Sequence, residues 1–131
     1  MLDSLYLEQN VIGALLIQPE CYEAAAELSP DDFLVPEYAE LFRAIQRRND
    51  AGEPADAVTV RDEAARECEG VTDKLLVQCM ELVTTTATLP EYVQAVKDAS
   101  LGRRLRDLGE ELRNADIAPP GGPTARFGNS G

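Results

Sequence analysis

The sequence predicts an all-α domain, and three observations carry that expectation. Ala, Leu and Glu recur along the 131 residues while aromatic residues make up 5% of them, a composition that favours helix over strand. Runs of β-branched residues are few. Apolar residues return at three- and four-residue spacing in segment after segment, each opened by a proline or a capping residue. The expected architecture is a small bundle of about five helices over residues 1–89, a long helix over 90–117 and a disordered Gly/Pro tail over 118–131. A chain of this length supports one modest core.

The first helix contains "LEQNVIGALLIQPE", in which Val11 to Ile17 are uncharged. The run falls short of the roughly 20 apolar residues that cross a bilayer, and no basic stretch precedes it as in a signal peptide. Burial in protein is therefore expected, with Leu5, Ile12, Leu15 and Leu16 on the core face and Glu8 and Gln9 turned away. Pro19 stops this helix and opens a second, "PECYEAAAEL", because a first-turn N–H has no partner to lose. "SPDDF" reads as a turn with Phe33 plugging the core. Acids adjacent in sequence do not converge on one atom, so Asp31-Asp32 and Glu110-Glu111 are expected in solvent.

The third helix, "PEYAELFRAIQRRNDAG", carries Tyr38, Leu41, Phe42 and Ile45 at helical spacing and ends where Gly52 suits a left-handed cap. Thr59, three residues before Asp62, suggests a capping box for a short fourth helix. Thr72 suggests a cap for the fifth, "DKLLVQCMELV". After the loop "TTTATLP", Pro90 opens "PEYVQAVKDASLGRRLRDLGEELRNA". Leu101, Leu105, Leu108 and Leu112 recur there at spacings of four, three and four, a heptad seam suited to a partner helix and hence a candidate dimer or partner interface.

Charge narrows the function classes. The net charge is -12, and nine acids with no Lys or Arg precede Arg43. Such a surface repels phosphate, so little direct nucleic-acid binding is expected. The basic cluster Arg103, Arg104 and Arg106 is a weak DNA or partner contact at most, because Asp107, Glu110 and Glu111 cancel its field. Cys21, Cys68 and Cys79 are odd in number and scattered, as buried free thiols of a reducing cytosol would be, and no histidine or CxxC supplies a zinc set. Neither a GxxxxGK[ST] phosphate loop nor GxGxxG is present. No catalytic, cofactor-binding or metal residue is assigned, and no enzyme activity is expected of this chain.

Taken in order, Glu8-Gln9, "VIGALLIQPE", "SPDDF", Pro36, "LFRAI", Gly52-Glu53-Pro54, Asp56, Thr59-Val60 and "LVTTTATLPEYVQAVKDASLGRRL" resemble the N-terminal domain of DnaB-type replicative DNA helicases over about Leu5 to Ile117. The resemblance implies that the first helix lies inside a helical bundle, where Gly13 allows a neighbouring helix close approach, and that the last helix is the first of a hairpin. It further implies pairing of copies, as a dimer and as a trimer of dimers in the full protein, and a collar that receives the C-terminal domain of primase or a helicase loader in the cytoplasm. ATP and Mg would belong to a motor domain beyond this sequence. A stand-alone replisome adaptor that binds a helicase is the alternative. Two departures from the family pattern, "GVTDKLLVQC" before the fifth helix and Ala64-Ala65 after the Thr-Val pair, imply different packing of the fourth helix.

Overall fold

The computed structural model describes residues 3–117. All regular structure among them is helical. Five α-helices follow in chain order: α1 (Ser4–Ile17), α2 (Pro36–Asp50), α3 (Ala57–Glu67), α4 (Asp73–Leu82) and α5 (Leu89–Ile117). Two short 3₁₀ segments, Pro19–Ala25 and Pro30–Asp32, bridge α1 and α2. The chain forms two compact units, one through Ser100 and one from Leu101 onward. The expected tail over 118–131 lies outside the described residues.

Helix α1 is the central element of the first unit. Asp3 caps it by accepting a 2.8 Å hydrogen bond from the Tyr6 N–H. From Asn10 to Leu16 every residue is buried, which is the pattern of a helix enclosed on all sides. Two expectations about its faces are corrected. Leu5 is exposed rather than part of the core, and Glu8 is buried rather than turned to water.

The segment expected as a second α-helix is instead 3₁₀ over Pro19–Ala25. Ala25 within it and Leu28 beyond it are buried, and Tyr22 is half-buried. Phe33 then enters the core, its ring centroid 5.1 Å from that of Phe42.

Helix α2 starts at Pro36 and presents Tyr38, Leu41, Phe42, Ala44 and Ile45 inward. It ends as anticipated at Gly52, whose φ of 72° is the left-handed conformation a side chain would strain. Helix α3 is capped by Asp56, which accepts from the Thr59 N–H at 2.9 Å, so the cap lies three residues earlier than the Thr59 box suggested. Thr72 caps α4 by accepting from the Leu75 N–H.

Helices α1 and α4 make the most extensive contact of the bundle, and Gly13 is its centre. A Cβ at Gly13 would lie 2.2 Å from the carbonyl oxygen of Cys79 and 2.8 Å from Val83 Cγ2. The backbones meet where no side chain fits. At the start of α5, Leu89, Val93, Val96 and Ser100 are buried at helical spacing, so the core of the first unit runs as far as Ser100.

Candidate functional site

Two buried carboxylates organise the first unit. Glu8, on α1, accepts hydrogen bonds from the Leu34 N–H at 2.7 Å and the Val35 N–H at 3.2 Å, the two amides just ahead of α2. Val35 has no side-chain cap of its own, and Glu8 supplies the negative charge from another helix. A tertiary contact thus does the work of a local cap.

Asp32, expected in solvent, is completely buried. Its carboxylate accepts from the Ser29 N–H at 2.9 Å, the Ser100 hydroxyl at 2.7 Å and Lys97 Nζ at 3.3 Å. Burial acts to raise its pKa, but the bonds from Ser29, Ser100 and Lys97 and the Lys97 charge outweigh that and hold it below the usual carboxylate value. Ser29 and Asp32 form a reciprocal capping box, and Lys97 and Ser100 belong to α5, so this carboxylate joins the linker to the third and fourth turns of α5. The S-x-x-D spacing was the one local hint of it.

Around the α1–α4 crossing, burial pushes the Tyr38 hydroxyl up to about 12, against a lowering hydrogen bond with Gln9, and the Cys79 thiol up to about 11. Cys79 is buried, while Cys21 and Cys68 are partly exposed. These groups are poor acids in ordinary conditions and suit packing rather than chemistry. Among the described residues no group of three or more His, Cys, Asp or Glu side chains is arranged to hold a metal ion.

Among the described residues, two groups of neighbouring apolar side chains stand at the surface. One is a groove of about 350 Å³ between α3 and α4, lined by Ala57, Val58, Leu76, Val77 and Met80 and bordered by the Arg61–Asp73 ion pair. Val58 and Val77 are exposed there, and no periodicity in the sequence marked them. The other is the seam anticipated on α5. Leu101, Leu105, Leu108 and Leu112 are 46%, 66%, 50% and 59% exposed, a contiguous stripe of the second unit. Arg104 and Arg106 are exposed on the same stretch and Arg103 is half-buried, interleaved with exposed Asp107, Glu110 and Glu111. The arrangement is an exposed apolar stripe with charges of both signs along its sides.

The described residues thus form an all-α helical bundle with a buried apolar first helix, followed in the chain by a long helix with an exposed leucine repeat. Residues 1–98 match the family described as DnaB-like helicase N terminal domain, and the chain belongs to that family. It is 36% identical over 104 residues to the replicative DNA helicase DnaC of Bacillus subtilis (strain 168), covering 75% of this chain and 22% of that protein. The chain therefore spans about a fifth of that relative's length. The N-terminal domain of DnaB helicase from Mycobacterium tuberculosis superimposes with a TM-score of 0.77 at 32% identity, over 87% of this chain and 84% of that one. The N-terminal domain of DnaB helicase from Helicobacter pylori, a structure described together with its interactions with primase, shares the fold at a TM-score of 0.75 and 20% identity, over 86% of this chain and 91% of that one.

Proposed function

We propose that this chain is the assembly and protein-interaction domain of a replicative DNA helicase, pairing through α5 and contributing to a collar that receives primase or a helicase loader in the cytoplasm. The observation that carries the reading is the row of exposed leucines on α5 in a member of this family. Four large apolar side chains in water form a patch that soluble monomers rarely keep, and a second helix is the occupant a heptad seam fits. Primase, through its C-terminal domain, is the favoured docking partner, with support from the Helicobacter pylori domain described with primase. Direct DNA binding is weak in this reading, because most of the surface is acidic. Strand separation and ATP hydrolysis with Mg are functions of a motor domain outside these residues. No helix among the described residues is long and apolar enough to cross a membrane.

Sedimentation equilibrium of the wild type, Leu105→Asp and Leu108→Asp tests the pairing. A concentration-dependent dimer that either substitution shifts toward monomer is expected, because each would bury an unpaired carboxylate in the seam. A wild type that stays monomeric throughout the micromolar range, or a dimer indifferent to both changes, overturns it. For docking, titration with the C-terminal domain of primase is expected to show saturable binding, and single-stranded DNA is expected to show none with a steep salt dependence.

A further inference from the structure

Packing of the bundle does not account for the groove between α3 and α4. Val58 and Val77, one on each wall, are 61% and 48% exposed. Valine loses side-chain freedom in a helix and in water gains no burial in return, so neither side chain stabilises the helix that carries it. Leu76 is buried at the floor, and half-buried Met80 adds a thioether that adapts to the shape it meets. A pocket for a small molecule places convergent polar groups around its ligand, whereas the two polar side chains of this lining, Arg61 and Asp73, are engaged with each other. Both walls are helices, so an extended peptide finds no strand edge there, and the apolar face of a helix is the segment that fits. The rim is acidic. Arg61 is held by Asp62 at 2.7 Å and by Asp73, and both carboxylates remain more than half exposed. Two carboxylates against one guanidinium leave a net negative rim, and exposed Lys74 and Glu81 further along α4 offset one another.

We infer that this groove receives an amphipathic helix of a partner protein, one that sets two or three bulky apolar side chains between α3 and α4 and basic side chains against Asp62 and Asp73. Charge complementarity fixes the sign. Lysine or arginine beside the apolar stripe meets uncompensated carboxylate charge, while an acidic helix or a nucleic acid meets repulsion from the rim and from a chain of net charge -12. The volume of about 350 Å³ takes a few side chains and not a folded domain, so the contact is a short segment read through anchors three or four residues apart. Every lining residue belongs to the first unit and none to α5. The site is therefore separate from the leucine stripe, and its occupation does not depend on pairing of copies.

The probe is a synthetic helical peptide with leucines three and four residues apart and lysines on both flanks. It is compared with the same peptide carrying glutamate for lysine and with a peptide of its own composition in scrambled order. Binding to the full chain is followed by fluorescence anisotropy at physiological ionic strength, and the site is located by backbone amide shifts. The lysine peptide is expected to bind saturably, with shifts clustered at Val58, Leu76, Val77 and Met80. Val77→Asp is expected to weaken it by about tenfold and Asp62→Lys by about threefold. Both positions are exposed, and circular dichroism checks that each variant stays folded. Leu105→Asp is expected to leave binding unchanged. No binding of the lysine peptide up to the millimolar range overturns the inference, as does a scrambled or glutamate peptide that binds equally well. Sensitivity to Leu105→Asp without sensitivity to Val77→Asp places the peptide on the leucine stripe and overturns it too. Self-association of the wild type that Val77→Asp abolishes assigns the groove to a second copy and removes the partner helix.

Discussion

Adding one methyl group at Gly13 tests the packing of the bundle at its tightest point. The Cβ of Gly13→Ala would fall 2.2 Å from the Cys79 carbonyl oxygen and 2.8 Å from the Cys79 carbonyl carbon, both atoms of the α4 backbone. A side chain in that position could swing aside, but a helix backbone cannot. Relief requires α1 and α4 to part by roughly 1 Å, and a gap of that size forfeits a quarter to a half of the dispersion well for contacts along the crossing. Overpacking of this kind costs about 1–3 kcal/mol. The substitution also gains helix propensity, worth up to about 1 kcal/mol for Gly to Ala. The net expectation is a loss of about 1–2 kcal/mol. In a domain of this size that lowers the thermal midpoint by roughly 5–15 °C, measured by circular dichroism at 222 nm. Gly13→Leu should be worse. An unchanged or raised midpoint for Gly13→Ala would show that propensity outweighs the clash, and would refute the close crossing of α1 on α4.

Asp32→Asn keeps the shape but removes the charge facing Lys97, which is partly exposed, and is expected to cost about 2 kcal/mol. Because the folded-state pKa of Asp32 lies below its ordinary 3.8, its contribution is complete above that value and is lost as pH falls through the lower folded value. Denaturant melts from pH 7 to pH 2 should therefore show a loss of stability below about pH 4 that shrinks in the variant. Burial of the Cys79 thiol predicts that a thiol reagent at pH 8 labels Cys21 and Cys68 in the native chain, and that Cys79 reacts only after unfolding, as mass spectrometry of the labelled peptides will show. The purified chain is expected to hydrolyse no ATP; multiple turnovers abolished by mutating an acidic residue would contradict that.

Elements whose signals are local were legible in the sequence. Pro36 at the first turn of α2, Gly52 past its end and Thr72 ahead of α4 act through their own φ angle or a hydrogen bond within three residues, so composition and spacing disclose them. The leucine seam is likewise a periodicity, and its side chains stand exposed on α5 where the spacing put them. The burial of Val11 to Leu16 followed from having no other place for uncharged residues. Family membership rested on the order of short motifs along the chain, which is also a linear property.

What the sequence could not disclose depends on groups 20 or more residues apart. Glu8 looked like a solvent residue because nothing nearby signals that its partners are the Leu34 and Val35 amides. Asp32 looked like half of an exposed acidic pair until folding brought Lys97 and Ser100 to it. Pro19–Ala25 is 3₁₀ where intrinsic propensity alone favours an α-helix. The sequence by itself determined the α-helices other than the 3₁₀ segment, the Thr72 cap and the leucine stripe, because each arises from neighbours along the chain. Only the tertiary structure decided which charges are buried, how closely α1 approaches α4 and where α3 and α4 leave a groove, because burial and contact depend on distance in space.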